Sequence, residues 1–208
     1  MEAHAVADGL WRWTGFHPEW KQEVASAYLE APDAIVVVDP LVPPEDADRF
    51  WRAFERDARR TRLPVHVLVT VYWHTRSARE LVARTGARVW APARGRRAIE
   101  RRAGTAADVY RPGDPLPGGV VAFPTGKGNE VVFWIPRHRA LVPGDVILGD
   151  PAEGLRLCPT SWLREGFGHD ELRARLRPLL ELPVERVLVS HGPPVLEGGA
   201  DALRRLLA

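Results

Sequence analysis

The sequence predicts a layered α/β fold, with β-sheets in the core and α-helices outside them. Two observations lead to this prediction. Short runs of β-branched and other apolar residues, typical of buried strands, recur along the whole chain and end at glycine, proline or aspartate. Segments with apolar residues at helical spacing lie between these runs, so strands and helices alternate in both halves of the chain.

In the first half, residues 34–38 (Ala-Ile-Val-Val-Val) predict a buried strand, which the Asp-Pro pair at 39–40 ends. A proline and two acidic residues at 44–46 then favour a helix start, because both residue types suit the first helical turn. The remaining patterns predict strands at 9–16, 24–29, 65–72 and 88–91, and helices at 75–85 and 94–102.

In the second half, Asp145 and His191 lie at the C-terminal tips of predicted strands. Side chains at strand tips along one sheet edge are where such folds build their sites, so these two residues are candidate site residues. The patterns of this half predict strands at 120–123, 131–135, 140–142 and 187–190, and helices at 170–180 and 200–207.

Composition narrows the function class. The formal net charge is +2, and 27 of the 29 basic residues are arginine, the exceptions being Lys21 and Lys127. Cys158 is the single cysteine, which excludes an intramolecular disulfide and a multi-cysteine zinc site. No apolar run is long enough for a membrane span, and the N-terminus does not have the pattern of a signal peptide. We expect one domain over residues 1–208 in a cytoplasmic protein.

Several motif classes are missing from the sequence. The chain has no phosphate-binding loop, no G-x-S-x-G nucleophile elbow, no G-x-G-x-x-G after its first strand and no H-E-x-x-H. The segment Arg94–Arg102 contains five arginines in nine residues and could bind phosphate-bearing partners. A solvated helix face explains this composition better. Nucleic-acid binding is therefore not expected.

Five short segments, in this order along the chain, resemble the metallo-β-lactamase superfamily. The resemblance extends from about residue 9 to the C-terminus and implies an αββα sandwich with its site along one edge of two facing sheets. The segments are Val36-Val37-Val38-Asp39-Pro40, Val67-Leu68-Val69-Thr70, Gly86-Ala87-Arg88-Val89-Trp90-Ala91, Leu141-Val142-Pro143-Gly144-Asp145 and Val189-Ser190-His191-Gly192.

The metal ligands that the resemblance implies are mostly missing. Aligned on Thr70, the positions of the family's H-x-H-x-D-H ligands are occupied by Val71, Trp73, Thr75 and Arg76. The stretch 124–129, which corresponds to the next ligand, has no histidine. Asp145 matches the bridging aspartate and His191 the last histidine. Two ligands do not normally hold zinc, so a dinuclear centre is not expected.

One hypothesis follows for a site without metal. Arg76 stands at a ligand position, and its guanidinium could fill the space of a cation and pair with Asp145. His191 would hydrogen-bond nearby, and Trp73 would lie in the same cleft. Asp39 is interpreted as a structural turn residue that orients its loop.

A second hypothesis involves His74. A shift of one residue at the strand end would bring His74 into the cleft with Asp145 and His191, a two-histidine, one-carboxylate set that suits a single zinc, iron or manganese ion. Adjacent strand residues point to opposite faces, so Trp73 and His74 are not expected to face the cleft together. The plainer interpretation of His74 is a loop or packing residue.

Two functions remain open from the sequence. The first is a pseudoenzyme, non-catalytic or weakly active, that uses a degenerate metal site and its cleft to bind a small molecule. The alternative is a mononuclear metal-dependent hydrolase of an ester, thioester, lactone or phosphoester, with catalysis by Asp145, His191 and His74. Four aromatic residues are interpreted as core or rim packing, but if they line the cleft they would favour an apolar or planar ligand: Tyr72, Trp73, Trp134 and Trp162. A homodimer is compatible with the sequence, which does not fix the oligomeric state.

Overall fold

A computed structural model describes residues 2–208 of the chain, with side chains from residue 3 onward. The strands are β1 (Glu2–Ala7), β2 (Leu10–His17), β3 (Gln22–Glu30), β4 (Ile35–Val38), β5 (Val65–Leu68), β6 (Arg88–Pro92), β7 (Ala107–Tyr110), β8 (Val121–Pro124), β9 (Val131–Ile135), β10 (Ala140–Val142), β11 (Ile147–Asp150), β12 (Gly154–Leu157) and β13 (Arg186–Val187). The α-helices are α1 (Ala47–Thr61), α2 (Ala78–Thr85), α3 (Arg96–Ala103), α4 (His169–Leu176) and α5 (Gly199–Leu207).

The strands form two main sheets. The first contains β1 to β7 in sequence order, antiparallel from β1 to β4 and parallel from β4 to β7. The second has the order β13-β10-β9-β8, with β13 parallel to β10, while β11 and β12 form a separate hairpin. Parallel strands whose ends coincide supply the sheet edge on which the site is built.

Strand side chains that alternate between two cores define the layers. In β4, Ile35 and Val37 pack against α1, α2 and α3, whereas Val36 and Val38 face the second sheet. In β9, the alternate residues Val132 and Trp134 pack instead against α4 and α5. The molecule is therefore an αββα sandwich with one core between the sheets and one under each helical layer, and this confirms the fold class predicted from the sequence.

The largest differences from the predicted elements lie near the site. The strand predicted for residues 65–72 ends at Leu68, and the chain then forms a 3₁₀ turn over Tyr72–Thr75. The backbone N–H of Thr70 donates to the side chain of Asp39 instead of continuing the sheet. Strand β1 and the β11–β12 hairpin were not predicted, because neither has a long β-branched run.

In the part of the chain that the structure describes, none of the helices combines the length and the apolar character that a membrane crossing requires.

Candidate metal centre

The candidate site lies where the two sheets end together. Asp39 follows β4, and His74 lies in the 3₁₀ turn after β5, the parallel neighbour of β4. Asp145 follows β10, and His191 follows β13, which is parallel to β10. Because the carboxyl ends of parallel neighbours lie at one edge, two strand pairs bring these four side chains to one place.

His74 is completely buried and is held through one ring nitrogen. Its Nδ1 lies 2.8 Å from Asp39 Oδ2 and 3.1 Å from Thr70 Oγ1. Thr70 in turn donates to Asp39 twice, from its backbone N–H at 2.8 Å and from its hydroxyl at 2.5 Å. A carboxylate behind one nitrogen fixes the ring orientation and leaves Nε2 for a ligand, as is usual for metal-binding histidines. Asp39 therefore orients His74, and not only its own loop.

Asp145 lies between two histidines. Its Oδ1 is 3.1 Å from His74 Nε2 and 3.2 Å from His191 Nε2, while Oδ2 accepts a 2.8 Å hydrogen bond from Trp73 Nε1. Burial opposes ionisation of Asp145, but the two histidines outweigh it and hold the pKa of this carboxyl well below its usual range. Asp145 is therefore an anion whose Oδ1 faces both rings.

Gly144 allows this placement of Asp145. The Asp145 backbone N–H donates to Glu130 Oε1 at 2.5 Å, which fixes the turn after β10. Gly144 has a φ of +62°, and a Cβ there would lie 2.8 Å from Glu130 Oε1. A side chain at position 144 would therefore be strained in its backbone and would collide with the carboxylate that positions Asp145.

The backbone around His191 is also held firmly. Its carbonyl accepts a 2.8 Å hydrogen bond from the Gly149 N–H, and Arg12 Nη2 donates to the Gly192 carbonyl at 3.2 Å. The loop after β13 is thus tied both to the β11–β12 hairpin and to the first sheet. The His191 side chain keeps 13 % of its surface exposed, so it forms the solvent-facing side of the group.

The donor atoms of His74, Asp145 and His191 fit one metal ion. One ligand atom from each residue lies within 4.8 Å of the other two. His74 Nε2 and Asp145 Oδ1 are both buried, and although they are 3.1 Å apart neither has a hydrogen-bond partner within residues 2–208. Two buried polar atoms that lie this close without a hydrogen bond could both bind a metal ion placed between them. Two imidazoles and a carboxylate suit zinc, iron or manganese.

A proton on His74 Nε2 is the alternative to a metal ion in this group. Burial and Arg76 would lower the pKa of His74, but Asp145 and Asp39 act in the opposite direction and raise it. An imidazolium with a carboxylate on each side is the form that these two acids favour when no metal is bound. A metal ion at Nε2 has to displace that proton.

A third buried carboxylate, Glu130, contacts Asp145 through the Asp145 backbone N–H. Its Oε2 is 2.9 Å from Lys127 Nζ, and both side chains are almost fully buried. Burial raises the pKa of Glu130 to about 7, although Lys127 acts against this shift. Sequence reasoning missed both residues. A glutamate directly before the apolar run 131–135 was the one available signal, since a charge at the start of a buried strand needs a partner.

Lys127, Asp145 and His191 line a cleft of about 360 Å³ that has aromatic walls. Trp162 is 44 % exposed at its mouth, and Trp73 forms the inner wall. The other tryptophan of the lining, Trp20, was not singled out in the sequence, and Tyr72 and Trp134 pack in the cores instead. The lining consists of Trp20, Gln22, Trp73, Lys127, Asp145, Trp162 and His191.

The structure brings His74, Asp145 and His191 together and also places Trp73 on Asp145. Trp73 and His74 are adjacent, and both contact the Asp145 carboxylate, one at each oxygen. Trp73 lines the cleft and His74 is buried behind it, yet both reach Asp145, because these residues lie in a 3₁₀ turn where strand alternation does not apply.

Arg76 does not form the ion pair expected with Asp145. Its Nη1 donates to the backbone carbonyls of Ala25 and Asp39, at 2.9 and 3.0 Å, and its guanidinium lies 5.5 Å from the centre of the Trp20 ring. Arg76 directly follows the 3₁₀ turn with a φ of +38°, and these two carbonyls hold its guanidinium. His74 occupies the position next to Asp145 instead.

The arginine-rich segment forms α3 and lies outside the metal group. Arg96 pairs with Glu100 at 2.8 Å, one turn along the same helix. Arg102 lies over the ring of Tyr72, 5.4 Å from its centre. These contacts agree with the interpretation of a charged helix surface.

Comparison with known proteins supports the fold assignment. No family model and no curated protein matches the chain. Among solved structures, it is similar to a metallo-β-lactamase from Pontibacter korlensis, with a TM-score of 0.69 and 16% identity over 99% of this chain and 98% of that one. It is similar to the DIM-1 metallo-β-lactamase, with a TM-score of 0.72 and 12% identity over 99% and 96%.

A third similar structure is the metallo-β-lactamase FIM-1 from Pseudomonas aeruginosa in its mono-zinc form. The TM-score is 0.65, with 14% identity over 99% of this chain and 94% of that one. The matches cover both chains almost completely, and they confirm the fold that the resemblance of the five short segments implied. The chain has the metallo-β-lactamase fold.

Proposed function

We propose that the protein is a hydrolase that uses one divalent metal ion, held by His74, Asp145 and His191. One observation carries this proposal: the ligand atoms of the three residues lie within 4.8 Å of one another. The sequence alone favoured a pseudoenzyme with a degenerate site, because only two of the family's ligand positions, Asp145 and His191, retain a ligand in the alignment. The position of His74 supplies the third protein ligand that a catalytic zinc site normally has.

The residues behind the ligands support a functional metal site. Asp39 holds His74 at Nδ1, and Trp73 and Glu130 hold Asp145 through Oδ2 and the backbone N–H. Such outer contacts fix ligand orientation and add to metal affinity. A cluster that served only for packing would not require two buried acids aligned behind two further ionisable groups.

A metal bound here would polarise a carbonyl or phosphoryl oxygen and lower the pKa of a bound water. The chain itself would orient the substrate and limit water access. Trp73 and Trp162 offer flat apolar walls to a planar or apolar group. A cleft of about 360 Å³ suits a small ester, thioester, lactone or phosphoester. The mono-zinc form of FIM-1 supports the idea that this fold can hold a single zinc.

A metal-free binding protein is the second candidate. It is favoured by the two carboxylates beside His74, which raise the pKa of this residue and allow a proton to take the place of the metal. The cleft with Lys127 and its aromatic walls would then bind a small ligand without chemistry.

Metal analysis separates the two candidates. Protein purified without chelator is analysed for zinc, iron and manganese, and the metal-free form is titrated with each ion by calorimetry. We expect one equivalent, which His74→Ala, Asp145→Ala and His191→Ala each remove, whereas exposed His4→Ala retains it. A stoichiometry of zero would favour the binding protein, and a stoichiometry of two would contradict both candidates.

Activity is then measured for the loaded protein. A panel of one ester, one thioester, one lactone and one phosphoester is offered to the wild type and to Asp145→Ala. Hydrolysis of at least one substrate by the wild type alone is expected. A protein that binds metal but hydrolyses none of the four classes would contradict the hydrolase assignment.

A further inference from the structure

Lys127 is a cation that the metal group does not use. Among the two lysines of the chain, Lys21 is exposed in the turn between β2 and β3, whereas Lys127 is 8 % exposed and lines the same cleft as Asp145 and His191. A buried ammonium is costly unless its charge is paired or serves a ligand.

The contacts of this ammonium are incomplete. Glu130 Oε2 lies 2.9 Å from Nζ, but within the described residues neither atom meets the directional requirement of a hydrogen bond. The other neighbours are aromatic, with the ring centres of Trp73 and Trp162 at 5.5 and 5.8 Å from Nζ. Aromatic faces attract a cation but accept no conventional hydrogen bond, so donors on Nζ remain for another oxygen.

Two hydrogen bonds fix the residues that position the ammonium. Glu130 is anchored by the Asp145 backbone N–H, so its position depends on the turn that carries a metal ligand. The Lys127 N–H donates to Thr125 Oγ1 at 3.1 Å, which fixes the backbone of the loop between β8 and β9. The turn that carries Asp145 and the loop that carries Lys127 are therefore linked through Glu130, and together they place a proposed metal ligand and an ammonium along one cleft.

We propose that Lys127 is a catalytic residue that binds an oxyanion of the substrate beside the metal ligands. The inference rests on the proposed function for its chemical step and deepens it. The substrate then presents an oxygen that becomes negative during the reaction, together with a planar or apolar part that packs between Trp73 and Trp162.

The step balances for an ester. The oxygen of water bonds to the carbonyl carbon, the carbon–alkoxy bond breaks, and the alcohol departs with a proton from the water, so that ester and water give acid and alcohol. Negative charge rises on the carbonyl oxygen as the water oxygen bonds to the carbon, and it falls again as the carbon–alkoxy bond breaks. A preorganised ammonium at that oxygen lowers the barrier without gaining or losing a proton itself.

Lysine NMR gives a direct test that does not need activity. Metal-free protein with ¹³C-labelled lysine has two lysine Cε signals, which Lys127→Met assigns, and inorganic phosphate is titrated as the oxyanion. We expect the Lys127 signal to shift and saturate while the Lys21 signal stays in place. Equal movement of both signals, or no movement of either, would overturn the proposal.

Kinetics of the loaded enzyme tests the role itself. Lys127→Met should retain one metal equivalent but lower kcat about 100-fold, the usual loss for an oxyanion-stabilising donor. Lys127→Arg, which keeps the charge, should lose less, and Lys21→Met should lose nothing. Unchanged kcat in Lys127→Met would contradict the proposal.

A double variant distinguishes catalysis from support of Glu130. Lys127→Met leaves Glu130 buried without its cation, and Lys127→Met/Glu130→Gln removes that unpaired acid. We expect the double variant to regain thermal stability but neither kcat nor the phosphate response. Recovery of kcat together with stability would show that Lys127 only neutralises Glu130. Absence of metal in the wild type with an intact phosphate response would contradict the proposed function and leave the anion site standing.

Discussion

Two pairs of side chains near the cleft, Asp39 with His74 and Glu130 with Lys127, each combine a buried carboxylate with a nitrogen-bearing group. On the His74 side, Asp39 lies behind the imidazole and Nε2 faces Asp145 Oδ1 without a hydrogen bond. On the Lys127 side, Glu130 lies behind an ammonium that faces two tryptophan rings. Both sides place a buried carboxylate next to a nitrogen-bearing side chain, an imidazole in one case and an ammonium in the other.

The difference lies in what each side lacks. In the proposed function, the His74 side offers electron pairs to a metal ion, whereas the Lys127 side contains its own cation and would bind an anion. The single metal ion that we propose is compatible with these charges. A second ion next to Lys127 would meet a fixed positive charge.

The largest expected effect comes from removal of a ligand on the His74 side. His74→Ala should lower zinc affinity by more than about 100-fold, because loss of a ligand exceeds the usual effect of its outer contacts. Lys127→Met should leave the affinity within a few-fold of wild type. Calorimetric titration of the two variants measures both, and equal losses would remove the distinction between the two sides.

The next effect concerns the carboxylate behind the imidazole. Asp39→Asn keeps the shape but removes the charge that holds His74 Nδ1, and we expect zinc affinity to fall about 10- to 100-fold. The exposed residue Asp33 provides the control, since Asp33→Asn should change nothing. If Asp39→Asn bound zinc as the wild type does, the orienting role of Asp39 would be wrong.

Gly144 tests the link between the two sides. Gly144→Ala combines a φ of +62° with a Cβ 2.8 Å from Glu130 Oε1, and we expect a loss of about 1–3 kcal/mol in the free energy of unfolding. Gly86→Ala is a matched control with a φ of +68° and no atom within 4 Å of the new Cβ. Urea denaturation should show a smaller loss of stability for Gly86→Ala. Equal losses in the two variants would mean that the Glu130 side chain moves away from the new Cβ at no cost in free energy.

The smallest effect on stability is expected at the mouth of the cleft. Trp162 is 44 % exposed, so Trp162→Ala should alter the free energy of unfolding by no more than about 0.5 kcal/mol. It should nevertheless weaken phosphate binding at Lys127, because it removes one aromatic wall. A large fall in thermal stability with unchanged phosphate binding would assign Trp162 to packing.

Much of the fold could be predicted because buried strands have strong local patterns. Strand β9 occupies residues 131–135 as the sequence indicated, and its neighbour β10 also has the predicted bounds. The β11–β12 hairpin contains glycine and charged residues among its apolar ones, so its composition resembled a loop. Local patterns therefore identify the central strands better than the hairpin.

The site was harder to predict because long-range contacts decide it. The end of β5 depends on hydrogen bonds from Thr70 to Asp39, which is 31 residues earlier in the chain. Those bonds precede the 3₁₀ turn that brings His74 beside Asp145 and directs Arg76 elsewhere. Asp145 and His191 could be identified because strand tips have a local signature, whereas a register change at a turn has none.

Diffraction from crystals soaked in zinc, recorded at the zinc absorption edge, tests the central claim most directly. The account predicts one anomalous peak per chain, about 2.0–2.2 Å from His74 Nε2, an Asp145 carboxylate oxygen and His191 Nε2. Two peaks in the cleft, or one peak that lacks His74 as a ligand, would contradict it.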